Sequence, residues 1–275
     1  MTSSTDSAPN PAVRVGIGGW TYEPWRANFY PDDLPQSREL QYASSKLSAI
    51  EINGTYYGTQ KRESFERWHD ETPDDFIFSM KATRYATNKR VLAEAGDSIS
   101  RFIDSGIAGL KRKLGPIVWQ FMATKRFDPE DFEAFLALLP KSVEGLALRH
   151  AMDVRHVSFA TPQYVALARK YGVATVFNDS DDYPSFADIT GDFVYARLMR
   201  TVSDQPTGYS PAALDDIADT VRAWRRGASP AVLPYADHET DAAKVDARDT
   251  FVYFISGAKE RAPAAAQALL ERLRS

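Results

Sequence analysis

Residues 48–53 read SAIEIN, a short apolar run whose end places Ile52 between two polar residues, Glu51 and Asn53. Side chains alternate along a strand, so if Ile52 packs outward, Glu51 and Asn53 share the opposite face. Four more β-like runs end in comparable triplets. Residues 76–81 (FIFSMK) end in Ser79-Met80-Lys81, and residues 116–121 (PIVWQF) contain Val118-Trp119-Gln120. Residues 145–149 (GLALR) end in Ala147-Leu148-Arg149, and residues 193–198 (FVYARL) lead into Arg197-Leu198-Met199. One register serves all five: Ile52, Met80, Trp119, Leu148 and Leu198 face helices. Glu51, Asn53, Lys81, Gln120, Arg149 and Arg197 then converge on one end of the structure.

Three further runs, 13–18 (VRVGIG), 174–178 (ATVFN) and 250–255 (TFVYFI), bring the expected strands to eight. Helical patterns lie between them. Asp128-Pro129 opens one, with Phe132, Phe135, Leu136 and Leu139 along a single face. Ser210-Pro211, Thr161-Pro162 and Pro263 open others. Alternation of strand and helix implies parallel strands with helical crossovers, and eight such units fit a single TIM-type (β/α)8 barrel over residues 13–275. An open doubly wound sheet is the alternative, but Gly16, Gly18 and Gly19 lack the spacing of a dinucleotide-binding turn. Residues 179–192 are short and rich in Asp, so helix six is expected to be reduced or missing. The long polar stretch 226–249 is expected on the face opposite the converging strand ends.

The chain has 275 residues, 44% hydrophobic and 25% charged, which suits a globular protein with a sizeable core. It has no Cys, which excludes disulfides, thiolate nucleophiles and Cys-ligated metals. Its net charge of −4 gives no global signal for nucleic acid. Residues 1–12 read as a disordered leader, without the basic and apolar regions of a signal peptide. No apolar stretch approaches the roughly 20 residues that span a bilayer, so a cytoplasmic protein without membrane contact is expected.

Catalytic strand ends of a barrel lie at its C-terminal face. There Lys81, Arg149 and Arg197 against Glu51 would leave surplus positive charge, which favours a small anionic ligand carrying phosphate or carboxylate. Asp179 is a candidate second carboxylate. Aromatic residues Trp20, Tyr22 and Tyr56 follow the first two strands and could stack on a ligand ring. Trp25, Phe29 and Tyr30 are read instead as packing. The four His are scattered without ligand spacing, and no cofactor or metal is implied.

The sequence resembles the YecE-like family, domain-of-unknown-function family 72. The matching motifs are G-G-W-x-Y-x-x-W with F-Y-P within residues 18–31, E-I-N-x-T-Y-Y in 51–57 and F-S-M-K-A in 78–82. L-G-P-I-x-x-Q-F in 114–121, Arg149-His150 and Y-A-R-L in 195–198 continue the series. The resemblance implies a TIM barrel. It also implies a Glu two residues before the strand-five Arg, where Ala147 stands. His-Gly after Y-x-R-L is replaced by Met199-Arg200, and the closing F-N-N by Phe254-Ile255-Ser256.

The favoured expectation is a barrel that binds a small anion and performs acid–base chemistry. Arg149, Arg197 and Lys81 would hold the anion, Glu51 would act as base, and Asn53 and Gln120 would orient the ligand. A non-catalytic scaffold with a degenerate site is one alternative. A nucleic-acid-binding barrel, using Lys125, Arg126 and Arg200 as well, is another and is less favoured.

Overall fold

Eight parallel strands close on themselves in the computed structural model, which describes residues 12–237 and 247–274. They are β1 (Val13–Gly18), β2 (Ala49–Ile52), β3 (Ile77–Lys81), β4 (Leu114–Gln120), β5 (His150–Asp153), β6 (Ala174–Asp179), β7 (Phe193–Leu198) and β8 (Asp249–Phe254). Each pairs with its sequence neighbour, and β8 returns to β1 in register Val13 to Thr250, so no strand edge remains open. Residues 1–11 of the leader expected at 1–12, and residues 238–246 of the polar stretch, fall outside the described residues.

Seven helices of eight or more residues surround the barrel: α1 (Glu39–Lys46), α2 (Arg62–Asp70), α3 (Gly96–Ile103), α4 (Pro129–Ala137), α5 (Pro162–Tyr171), α6 (Pro211–Arg225) and α7 (Ala262–Arg274). Three of them start where a capping side chain meets a proline at the first helical position. Asp128 accepts from the amides of Glu130 and Asp131, Thr161 from Tyr164, and Ser210 from Ala213. The expected register holds on four strands. Ile52, Met80, Trp119 and Leu198 are buried in the layer between strands and helices. Ala49, Val118, Ala151, Val176, Tyr195 and Tyr253 form a separate cluster inside the barrel. Gly16 makes that filling feasible: a Cβ there would fall 2.0 Å from the Ala49 carbonyl oxygen and 3.2 Å from the Tyr253 ring.

Between β6 and β7 there is no helix among residues 180–192, as expected. The outer face at that point is covered by an irregular layer. The Ala187 amide donates to the Pro234 carbonyl, and the Asp188 carboxylate accepts from the Ala236 and Asp237 amides at 2.7 and 3.0 Å.

Strand five differs from the sequence reading. Residues 145–149 are not a barrel strand. Ser142–Val143 and Leu146–Ala147 pair as a small antiparallel hairpin, turning through Glu144 and Gly145, both at positive φ. The barrel strand begins one residue after Arg149. Arg149 therefore sits at the N-terminal end of β5, where its Nη1 donates to Asp249 at the start of β8 at 2.7 Å. Its guanidinium lies over the Phe193 and Phe251 rings.

Candidate functional site

Alternation places six polar side chains at the C-terminal mouth: Glu51 from β2, Lys81 from β3, Gln120 from β4, Asp153 from β5, Asn178 from β6 and Arg197 from β7. Arg197 is the hub. Its Nη2 donates to Glu51 Oε1 at 3.0 Å, and its Nη1 donates to Asp153 Oδ2 at 2.6 Å and to Gln120 Oε1 at 3.1 Å. Just past β5, Arg155 donates from Nε and Nη2 to the Asp153 carboxylate and from Nη2 to Gln120 Oε1 at 3.0 Å. Asn178 Nδ2 donates to the other Asp153 oxygen at 2.8 Å.

The floor is aromatic. The Tyr195 hydroxyl donates to Glu51 Oε2 at 2.7 Å, so both Glu51 oxygens are engaged and the residue is fully buried. Burial and the adjacent Glu51 charge push the Tyr195 phenol well above its ordinary value, which keeps the donated proton in place. Tyr195 stacks on Tyr253, whose hydroxyl shares a 2.7 Å bond with Ser79. Burial by itself would raise the Asp153 carboxyl, but the Arg155 and Arg197 guanidiniums outweigh it and hold the group below the usual aspartate value.

Two carboxylates and two guanidiniums thus form a closed cluster of zero net charge. The surplus of cations expected in the mouth reduces to Lys81. Lys81 is 8% exposed, its Nζ lies 4.4 Å from the centre of the Tyr56 ring, and no carboxylate among the described residues is within ion-pair distance. Burial, followed by the Arg197 charge, brings its ammonium down to about 8, against smaller opposing effects of Glu51 and Asp153. Two buried polar atoms of the mouth also have no partner among the described residues: Arg197 Nε and Asn178 Oδ1.

Several candidates lie elsewhere. Arg149 is at the opposite end of the barrel. Asp179 follows the inward Asn178 and so faces away from the axis, where Arg200 pairs with it at 3.3 Å and Tyr209 donates to it at 3.4 Å. Trp20 packs edge-on against Trp68 of α2 and Phe78, and Tyr22 packs against Trp25 with Lys259 over its ring. Of the three stacking candidates only Tyr56 meets a mouth side chain. Asn53 lies beyond the end of β2, and its amide makes a long 3.5 Å contact with the Glu51 carbonyl.

Asp153 and Arg155 are the residues that the sequence reading missed. They carry the same signature it used elsewhere, because Asp153-Val154-Arg155 is polar, apolar, polar. They also place an acid two residues ahead of an arginine, the spacing that the resemblance implies and that Ala147 does not provide ahead of Arg149. The cations offered for nucleic-acid binding are partly committed: Lys125 Nζ donates to the Lys89 and Arg90 carbonyls, and Arg200 pairs with Asp179 and Asp181. Among the described residues no cluster of three His, Asp or Glu could hold a metal ion, and no helix is long and apolar enough to cross a membrane.

A closed parallel barrel with a buried carboxylate–guanidinium cluster at its C-terminal mouth defines a TIM-type (β/α)8 protein. The chain belongs to the family described as Protein of unknown function DUF72, which it matches over residues 14–275. It is similar to the UPF0759 protein YunF of Bacillus subtilis, 26% identical over 114 residues, covering 40% of this chain and 39% of that protein. It is 25% identical over 151 residues to the UPF0759 protein YecE of Escherichia coli K12, covering 54% and 50%. The chain thus spans half or less of the length of these curated relatives. A solved DUF72 family protein from Thermotoga maritima superposes with a TM-score of 0.72 at 22% identity, covering 96% of this chain and 99% of that one. One from Enterococcus faecalis gives 0.69 at 16% identity, covering 96% of both. At these identities the resemblance is one of fold.

Proposed function

We propose that the mouth binds a small carboxylate- or phosphate-bearing molecule and exchanges a proton with it, with Lys81 as the group that does both. The observation that carries this reading is charge balance. Glu51 and Asp153 are matched by Arg197 and Arg155, so among the described mouth residues the one cation without a carboxylate is Lys81. Tyr56 offers a flat face beside that ammonium. Arg197 Nε and Asn178 Oδ1, both buried, are a donor and an acceptor left without a partner among the described residues.

In this reading Glu51 is a positioning residue, since both of its oxygens are already bonded and none of it is exposed. It fixes Arg197, and Arg197 fixes Asp153 and Gln120. Lys81, which titrates near 8, can give or accept a proton close to neutral pH, where an ordinary lysine would stay charged.

The test is a calorimetric titration with phosphate and a panel of small carboxylates. Wild-type protein is expected to bind at least one of them, with about tenfold or greater loss in Lys81→Met and partial retention in Lys81→Arg. Equal affinity in wild type and Lys81→Met removes the assignment.

A further inference from the structure

The Lys81 amine is unlike the other charged groups of the mouth. Every carboxylate and guanidinium there is held by at least two hydrogen bonds, whereas among the described residues Nζ has only the Tyr56 ring beside it. It is anchored from behind, because Thr55 Oγ1 donates to the Lys81 carbonyl at 2.7 Å and ties the end of β3 to the turn that carries Tyr56. Burial disfavours its protonated form, and the Arg197 charge adds to this against smaller opposing effects of Glu51 and Asp153. A desolvated amine next to cationic neighbours is a nucleophile near neutral pH. In the cluster at the same barrel mouth, Arg155 spends Nε and Nη2 on Asp153 and Gln120, while Nη1 has no partner among the described residues. The Arg155 guanidinium lies 4.2 Å from the centre of the Tyr183 ring, which holds the fork in place.

We propose that Lys81 forms an imine with a small aldehyde or ketone that also bears a carboxylate or phosphate, the anionic end being received by Arg155 Nη1. This rests on the anion-binding reading above and names its substrate class. The ammonium first gives one proton to solvent. The nitrogen lone pair then attacks the carbonyl carbon, forming the C–N bond while the C–O π electrons move to oxygen. A second proton passes from nitrogen to that oxygen. The resulting hydroxyl takes back one proton from solvent and leaves as water as the nitrogen lone pair closes the C=N bond. Ammonium and carbonyl thus become a protonated imine and water, with no oxidant and no net proton.

The protein is incubated with pyruvate or glyoxylate in the presence of borohydride, and the modified lysines are mapped by mass spectrometry. A single adduct is expected at Lys81, forming at least about tenfold faster than at any exposed lysine, with a rate that climbs as pH rises towards about 8 and then levels. Lys81→Met is expected to show none of this adduct while melting as a folded protein. The map of the wild-type chain decides the matter even if that variant fails to fold. Adducts spread evenly over surface lysines, or none at all, overturn the imine. If phosphate binding still depends on Lys81 in that case, only the imine falls. If it does not, the anion-binding reading falls as well.

Discussion

Arg197 joins Asp153 by a 2.6 Å bond between two fully buried side chains, and that contact links β5 to β7 above the barrel core. Removing one member of a buried pair leaves an unmatched charge out of water. Arg197→Met is therefore expected to destabilise the fold by about 3–5 kcal/mol. Replacing Glu51, Asp153 and Arg197 together by apolar residues of similar volume is expected to cost less than the sum of the single changes, because only Arg155 is then left without a carboxylate, and its side chain is 12% exposed rather than fully buried. Chemical denaturation of the single and triple variants checks both statements.

Acid sensitivity follows from the same cluster. The folded Asp153 carboxyl lies below its ordinary value of 3.8, so its contribution is fully present above that value and lost as pH falls through the folded one. His150 adds a second limb. Trp119 Nε1 donates to its Nδ1 at 3.0 Å, so Nε2 carries the proton and donates to the Pro140 carbonyl at 2.8 Å. Burial lowers the His150 pKa from 6.5, so the unfolded chain takes up a proton before the folded one does. Stability is expected to fall as pH drops below 6.5, and His150→Gln is expected to flatten that slope in thermal melts taken across this range.

Ligand binding has the opposite pH trend. The Lys81 ammonium attracts an anion only while protonated, so affinity for a bound phosphate or carboxylate is expected to decline as pH rises through about 8. Titrations on either side of that value measure the change, and Lys81→Arg should shift the decline out of range.

Arg149 provides a contrast. Its pair with Asp249 is about one-third exposed on both sides and lies at the far end of the barrel. Arg149→Ala is expected to cost about 1 kcal/mol, part of it from lost contact with the Phe193 and Phe251 rings, and to leave anion affinity unchanged. A measurable loss of affinity in that variant would return Arg149 to the site.

Gly16→Ala tests the barrel filling. The added methyl meets backbone at Ala49 rather than a movable side chain, so a loss of about 1–3 kcal/mol is expected in denaturant melts.

Strand alternation made most of this architecture legible in the amino-acid order. Ile52, Met80, Trp119 and Leu198 point as their spacing demands, and Glu51, Lys81, Gln120 and Arg197 meet as a consequence. Strand five failed because residues 145–149 alternate as well as a true strand does, while His150-Ala-Met-Asp153 contains no β-branched residue to mark it. The discriminating signal was Glu144-Gly145, a two-residue turn between apolar neighbours that calls for a hairpin. Asp179 misled for a simpler reason: with Phe177 packed against Trp224, the next inward position is Asn178. Pairing among the mouth charges depends on strand order across the closed barrel, and no local pattern carries that information.

The absent helix between β6 and β7 has a consequence for how the barrel comes apart. Elsewhere a helix shields each strand pair, but here the cover is irregular chain held by Ala187 and by the Asp188 carboxylate. Regions with few backbone hydrogen bonds open at the lowest free energy. In deuterated solvent, the amides of residues 180–192 and 230–237 should exchange first, and β6 should lose protection before β2 or β3. This barrel has a seam.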